Sequence, residues 1–286
     1  MEEKLEVKRS DWKAWMRAFL ISIRASTWGW TMYTSSFIIS VCSMVVDALV
    51  FFMISLLVGG RMEKVLPSGM SYASFILVNF IVNQFINTPR YAFFELLQSC
   101  YFGGAMDFLI LSSPISFSSY LLGSIVFLYL MGIMRSGIFV VISLILGVSF
   151  SSTIDLGALL VVLLLGILCM TGIGLIAGSV FFLLNVKDED LVNWILDRAV
   201  HLFSGFYFPI ELLPKNVRII GIFIPQTYIY DSMRRILVLG ESLSQTIIHS
   251  IFVLLTFMLI LLPLGYFLFT YSIRIAEKKG ELTRWT

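Results

Sequence analysis

The stretch "LGALLVVLLLGILCMTGIGLIAGSVFFLL" (residues 156–184) contains no charged residue. A helix needs about 20 apolar residues to cross the hydrocarbon core of a bilayer, so this stretch is long enough to span a membrane. The whole chain has the same character, because 58% of its 286 residues are hydrophobic, only 13% are charged and the mean hydropathy is +0.93. A soluble core cannot bury so much apolar surface. The sequence therefore predicts an integral membrane protein.

Five further windows are free or nearly free of charge, and they lie at about residues 34–58, 72–94, 115–148, 191–212 and 246–272. Each window is longer than the alternating strands of about ten residues that build outer-membrane barrels. A helix satisfies its own backbone hydrogen bonds inside lipid, so each window is predicted to be helical. We therefore expect an all-α polytopic membrane protein with six transmembrane helices.

The predicted protein is a single membrane domain over residues 1–286, divided into an arm (1–33), a six-span core (34–272) and a tail (273–286). The arm carries six Lys or Arg residues and the tail carries four. Segments rich in Lys and Arg stay in the cytosol, which places both termini there and the protein in the cytoplasmic membrane. An even number of spans agrees with this orientation. Lys215, Arg218, Arg234 and Arg235 would then lie outside against the rule, as short re-entrant segments often do.

The N-terminal arm has the pattern of an amphipathic helix. Its apolar residues recur at helical spacing, and its basic residues gather on another face: Trp12, Trp15, Met16, Phe19, Leu20 and Ile23 against Lys13, Arg17 and Arg24. This pattern predicts a helix lying in the membrane interface. Packing against a cytosolic protein is the alternative interpretation, and the two are compatible.

The sequence lacks the residue patterns of disulfide-bonded, metal-binding and nucleotide-binding sites. Cys42, Cys100 and Cys169 are far apart and do not have disulfide or zinc spacing. His201 and His249 are isolated, so no metal site is predicted. The phosphate-binding pattern G-x-x-x-x-G-K-[ST] does not occur. We therefore expect no cofactor in this chain and expect any ATP to be hydrolysed by another chain.

A polar stripe follows the second predicted span. Asn79, Asn83 and Asn87 are spaced four residues apart, Gln84 is adjacent, and Arg90 lies one turn further on. Polar side chains are costly in hydrocarbon and should face a partner or water. The stripe could line a substrate path, or it could join helices through hydrogen bonds.

Two charged residues lie deep in other predicted spans. Asp47 is near the middle of the first span, and Arg135 is deep in the third window. They are possible ion-pair partners across helices. In the fourth span, Gly174 and Gly178 form a small-xxx-small pattern that permits two helix backbones to approach closely.

The segment "FFELLQSCYFGGAMDFLILSSPIS" (93–116) interrupts the spans with two glycines, a short helical stretch "AMDFLIL" and a proline. "GGAMDFLILSSPIS" resembles the permeases of type-2 ABC exporters. In that family this segment contains the coupling helix, which sits in a cleft of the ATPase subunit. Ala105 stands where the family often has threonine. The resemblance assigns ATPase coupling to Gly104, Met106, Asp107, Phe108, Leu109 and Pro114.

A second segment carries the same resemblance. "SGFYFPIELLPKNVRIIGIFIPQTYIYDSMRRILVLGES" (204–242) is similar to the signature region that precedes the last span in that family. Prolines fix where short helices start and stop, so we expect a re-entrant helical hairpin over 209 to about 244 at the outer face. Its site residues are predicted to be Pro209, Glu211, Pro214, Pro225, Asp231 and Arg234.

The resemblance covers essentially the whole chain and implies a permease subunit of an ATP-driven exporter. The implied substrate is a hydrophobic or amphipathic drug, lipid or glycan-lipid. The implied partners are a second permease, identical or homologous, and two ABC ATPase subunits that bind ATP and Mg. Nucleic acid is not an expected partner.

Two other functions remain as alternatives. A stand-alone secondary carrier should show broken helices in both halves of the chain. An intramembrane enzyme needs paired catalytic groups within the bilayer, where Asp47 is the deep carboxylate.

Overall fold

The computed structural model describes residues 34–67, 69–102 and 117–279, together with Met16, Leu20, Ile21, Ile23 and Arg24 of the N-terminal arm. Those five arm residues are helical, and the rest of the predicted interfacial helix lies outside the described residues.

The described ranges contain nine α-helices and no β-strand, in agreement with the predicted all-α class. In chain order they are α1 (Thr34–Met62), α2 (Tyr72–Ile86), α3 (Thr88–Phe102), α4 (Phe117–Ile145), α5 (Leu156–Leu183), α6 (Leu191–Phe203), α7 (Lys215–Ile222), α8 (Pro225–Arg234) and α9 (Gln245–Lys279). A short 3-10 helix (Ile210–Leu212) precedes α7. A π-helical segment (Arg235–Leu239) continues α8.

Four of the described helices are long and apolar enough to cross a membrane. They comprise the apolar part of α1 from Ile38, the part of α4 from Gly123, and the whole of α5 and α9. Each of these helices covers one of the windows that the sequence predicted. The chain is therefore a multi-pass membrane protein.

The second predicted span, 72–94, is divided between α2 and α3. The division falls at Asn87, and the amide of Asn87 still donates to Asn83 O at 3.2 Å. Pro89 lies two residues further on and has no amide hydrogen to continue the helical ladder. The second apolar segment is therefore two helices of 15 residues each rather than one continuous helix.

The fifth predicted span, 191–212, is helical only over the 13 residues of α6. At 1.5 Å per residue α6 is about 20 Å long, which is shorter than the hydrocarbon core of about 30 Å. Ser204 caps α6 by donating its amide to Val200 O, and Gly205 then adopts φ +75°. A left-handed residue ends the helix, and glycine adopts this conformation at no steric cost. The chain turns into the hairpin here, so the window 191–212 is not one continuous helix.

Helix α5 packs most extensively against α9, and glycines bring the two backbones into contact. A Cβ atom on Gly172 would lie 2.7 Å from the carbonyl carbon of Leu261, and one on Gly265 would lie 2.4 Å from Gly172 O. Neither position has room for a side chain. This contact therefore depends on two small residues facing each other.

The small-xxx-small pattern of α5 serves the neighbouring contact with α3. A Cβ atom on Gly174 would lie 2.3 Å from Pro89 O, and one on Gly178 would lie 3.0 Å from the Phe269 ring and 3.2 Å from Phe93 Cβ. The close approach predicted for Gly174 and Gly178 thus occurs between helices of one chain.

The ends of the helices gather into two groups of connections. At one end, which we call the hairpin end, Tyr72 donates its hydroxyl to Tyr207 O at 2.9 Å, and the amide of Ser151 donates to Leu237 O at 2.9 Å. At the opposite end, which we call the loop end, Gln98 Nε2 donates to Lys187 O at 2.9 Å. The connections 63–71, 146–155 and 204–244 thus share the hairpin end.

Replacing Gly172 by Leu should destabilise the protein, because the new side chain would collide with the backbone of α9. Overpacking a close contact costs about 1–3 kcal/mol, so the melting temperature of the purified protein in detergent should fall. Gly137→Leu is the matched control, since a Cβ on Gly137 meets no atom within 4 Å. Equal melting temperatures for the two variants would contradict the packing of α5 against α9.

Candidate functional site

The polar stripe of α2 bonds to the chain around the hairpin. Asn79 is fully buried, and its Nδ2 donates to Phe206 O at 2.7 Å and to Gly205 O at 3.3 Å. Its Oδ1 lies 3.4 Å from Nη1 of Arg234, which donates to it. One amide group therefore joins α2 to the turn after α6 and to α8.

The other asparagines of the stripe extend this connection. Tyr230 donates its hydroxyl to Asn83 Oδ1 at 2.5 Å, and Asn87 Nδ2 donates to the same oxygen. Gln84 is half-buried beside them, and its carbonyl accepts a hydrogen bond from Thr88. These contacts favour the interpretation that the stripe joins helices. The role of the stripe in a substrate path remains a prediction.

Three charged side chains, those of Asp231, Arg234 and Arg235, lie close together at the end of α8 and the start of the π-helical segment. Nη1 of Arg234 donates to Gly205 O at 2.9 Å, and the guanidinium lies 4.1 Å from the centre of the Phe75 ring. Its Nη2 lies 3.5 Å from Asp231 Oδ1, and Asp231 also accepts a hydrogen bond from Arg235 Nε at 3.0 Å. Desolvation by burial lowers the pKa of Arg234, although the carboxylate of Asp231 opposes that shift. One carboxylate thus serves two guanidinium groups.

A cavity of about 680 Å³ lies beneath the hairpin. Its charged wall comes from the hairpin and consists of Glu211, Arg218, Asp231, Arg234 and Arg235. Its apolar wall comes from the connection 63–71 and the start of α2, and includes Val65, Leu66, Pro67, Met70 and Phe75. The first turns of α9 close it with Thr246, His249 and Ser250. Its volume is in the range of about 300–1,000 Å³ that is typical of ligand sites.

Four of the six predicted hairpin residues line this cavity: Pro209, Glu211, Asp231 and Arg234. The other two are helix starts, because Pro214 precedes the first residue of α7 and Pro225 is the first residue of α8. Arg218 and Arg235 also line the cavity, although the sequence pattern predicted neither as a site residue. The spacing of Arg235 four residues after Asp231 could have indicated their pairing.

A second polar cluster connects α3 to α6. Arg90 is 1% exposed, and its Nη2 contacts both the carboxylate of Asp197 and the hydroxyl of Tyr91. The Tyr91 hydroxyl lies 2.7 Å from each oxygen of Asp197, and Asn193 Nδ2 donates to Arg90 O at 2.9 Å. Arg90 stands out in the sequence as a charge next to the polar stripe, but its partner Asp197 is 107 positions away and could not be identified from spacing.

The structure does not bring Asp47 and Arg135 together. Both residues are exposed, and no ion pair joins them in the part of the chain that the structure describes. The packing of α1 explains this separation. Met44 and Ala48 form the buried face of α1 and pack in one hydrophobic cluster with Phe139 of α4. Asp47 lies on another side of that helix.

The predicted coupling residues Gly104, Met106, Asp107, Phe108, Leu109 and Pro114 lie outside the described residues. The flanking helices nevertheless fix where their segment leaves the bundle. Near the end of α3, Tyr101 accepts a hydrogen bond from Lys187 at 3.0 Å, which places that helix end at the loop end. The C-terminal end of α3 therefore lies opposite the cavity.

Comparison with known proteins gives one family. The family model described as "ABC-2 family transporter protein" matches residues 104–267, more than half of the chain. No curated protein matches the sequence at significant similarity. The match begins within the predicted coupling segment and extends through the hairpin into α9.

Replacing Asn79 by Leu should lower the melting temperature, because two buried carbonyls and a guanidinium would lose a hydrogen-bond partner. An unsatisfied buried polar group costs about 1–3 kcal/mol. Asn216→Leu is the control, because Asn216 is exposed on α7 and its replacement should leave the melting temperature unchanged. Lost transport at an unchanged melting temperature would instead favour the substrate-path interpretation.

Proposed function

The chain belongs to the ABC-2 family of transporter proteins, and we propose that it is the permease subunit of an ATP-driven exporter. The proposed cargo is a hydrophobic or amphipathic molecule such as a drug, a lipid or a glycan-lipid. The observation that carries the proposal is the family match over residues 104–267, which includes both segments that the sequence singled out. The ABC-2 permease is a transport subunit rather than a catalyst, and the four long apolar helices fit that role.

In this proposal, ATP and Mg are bound by a separate ABC ATPase. The chain has no G-x-x-x-x-G-K-[ST] loop with which to cradle nucleotide phosphates. Two ATPase subunits dock on a pair of permeases, and the segment between α3 and α4 provides the docking helix. Met106, Phe108 and Leu109 are its apolar anchors.

The proposed orientation puts the loop end in the cytosol and the hairpin end outside. Lys278 and Lys279 in the last turn of α9, together with the basic N-terminal arm, support cytosolic termini by the positive-inside rule. The connection from α3 to α4 then faces the ATPase. The cavity faces the outer surface of the cytoplasmic membrane.

The contacts suggest how a movement at the ATPase could reach the hairpin. Helix α3 leads directly into the docking segment and follows α2 after a single non-helical residue. Helix α2 in turn bonds to the hairpin through Asn79 and Asn83, and α3 bonds to α6 through Arg90. A tilt of α3 would therefore move the hairpin along two routes, one through α2 and one through α6.

Replacing Phe108 by Asp should release the ATPase while leaving the permease in the membrane. A carboxylate in place of a buried aromatic anchor would have to be desolvated on docking, which is costly. The measurement is co-purification of the partner ABC ATPase, expressed together with the tagged permease. We expect loss of the ATPase band at a normal permease level.

Phe223→Asp is the matched control for that experiment. Phe223 is 73% exposed and lies between α7 and α8, so the same chemical change occurs at the opposite end of the bundle. It should leave co-purification intact. Unchanged ATPase binding by the Phe108→Asp protein would show that docking occurs elsewhere.

A further inference from the structure

The charged wall of the cavity beneath the hairpin has more cationic than anionic groups. Three guanidinium groups, those of Arg218, Arg234 and Arg235, face two carboxylates, those of Glu211 and Asp231. Arg235 also pairs with Glu241, which does not line the cavity, at 3.3 Å. Arg218 and Arg234 are therefore the two cations whose carboxylate partners lie no closer than 3.5 Å.

The buried cation of the wall is only partly compensated. The side chain of Arg234 is 8% exposed, and its nearest carboxylate oxygen in the described chain is Asp231 Oδ1 at 3.5 Å. That carboxylate makes its shorter contact, 3.0 Å, with Arg235. Buried charges are normally paired at close range, because a charge removed from water without a partner is costly. Arg234 therefore has capacity for a second anionic partner from the cavity.

Arg218 supplies a cation that can turn toward a ligand. It lies 3.9 Å from Glu211, and the two side chains are 49% and 55% exposed. Exposed ion pairs of this length contribute little to stability, so a ligand can replace the carboxylate at small cost. Arginine donors also match the oxygens of a phosphate in a bidentate arrangement.

The opposite wall consists of buried apolar side chains. Leu66, Met70 and Phe75 are all less than 10% exposed and come from the connection 63–71 and α2. A ligand in the cavity would contact guanidinium groups on one side and hydrocarbon on the other. Such a site suits an amphiphile rather than a fully polar anion.

From these observations we propose that the cavity binds the phosphate head group of a lipid-like amphiphile, with Arg218 and Arg234 on the phosphate and Leu66, Met70 and Phe75 on the first part of the apolar chain. The proposal rests on the proposed function only for the position of the hairpin at a membrane surface. The phosphate amphiphile comes from one of two sources, the surrounding bilayer or the exported cargo.

The test is calorimetric titration of the purified full-length permease in a neutral detergent. The probe is dihexanoyl phosphatidylglycerol, and the comparison ligands are dihexanoylglycerol, which lacks the phosphate, and inorganic phosphate, which lacks the chain. We expect saturable binding of one probe molecule per permease and no binding of either comparison ligand. Equal binding of dihexanoylglycerol or of inorganic phosphate would overturn the proposal.

Variants locate the binding to this cavity. Arg218→Gln should weaken the affinity for the probe by about tenfold, as expected for the loss of one charge-assisted contact, and should not change the melting temperature of the free protein. Lys215→Gln is the control, since Lys215 is exposed on the same helix and does not line the cavity. Equal affinities of the two variants would place binding elsewhere and overturn the proposal.

Native mass spectrometry distinguishes the two sources. A phospholipid that stays bound to the permease as purified, and is lost in Arg218→Gln, would identify the bilayer as the source. An empty permease that nevertheless binds the added probe would identify the cargo. Neither measurement needs the ATPase, so the head-group site can fail while the exporter assignment stands, and the reverse also holds.

Discussion

The carbonyl of Gly205 accepts hydrogen bonds from both Asn79 and Arg234, and the rest of the hairpin depends on this contact. The turn after α6 is not helical, yet Ser204, Gly205 and Phe206 are buried. A non-helical backbone inside a membrane protein must find partners for its carbonyls within the protein, because lipid offers none. Asn79 provides them from α2 and Arg234 from α8. These bonds allow the chain to end α6 inside the bundle and to continue into the hairpin.

This constraint also determines where α8 lies. Since Arg234 and Tyr230 must reach the α2 asparagines, α8 is inserted among α2, α5 and α9 instead of resting on the surface. Ile229 of α8 fits against Gly166 of α5, where a Cβ atom would come within 3.0 Å of it. Helix α7, the other leg of the hairpin, remains largely exposed. The space between the two legs of the hairpin and the start of α9 is the cavity.

The sequence predicted the parts of the fold that depend on local properties. Uninterrupted apolar windows identified α1, α4, α5 and α9, and Pro214 and Pro225 marked the starts of α7 and α8. The resemblance in segments 93–116 and 204–242 identified the family, and the family match over 104–267 confirms it.

The remaining features depend on contacts between distant residues. The window 191–212 is apolar throughout most of its length, but apolarity does not reveal that Gly205 would end the helix. The partner of Arg90 and the wall formed by the connection 63–71 are likewise fixed by tertiary packing. A polar stripe looks the same in one sequence whether it faces a substrate path or another helix. The hydrogen bonds of Asn79 to Gly205 and of Tyr230 to Asn83 favour the second interpretation for these two asparagines.

Hydrogen–deuterium exchange of the purified protein tests most directly whether α8 is locked into the bundle by these bonds. Helices α7 and α8 have 8 and 10 residues and belong to one hairpin, so each is a control for the other. Local opening determines exchange, and buried, bonded segments open least. The account predicts that peptides covering Ile229–Arg234 exchange as slowly as those of α5, while peptides of α7 exchange quickly. Equally fast exchange of α7 and α8 would contradict it.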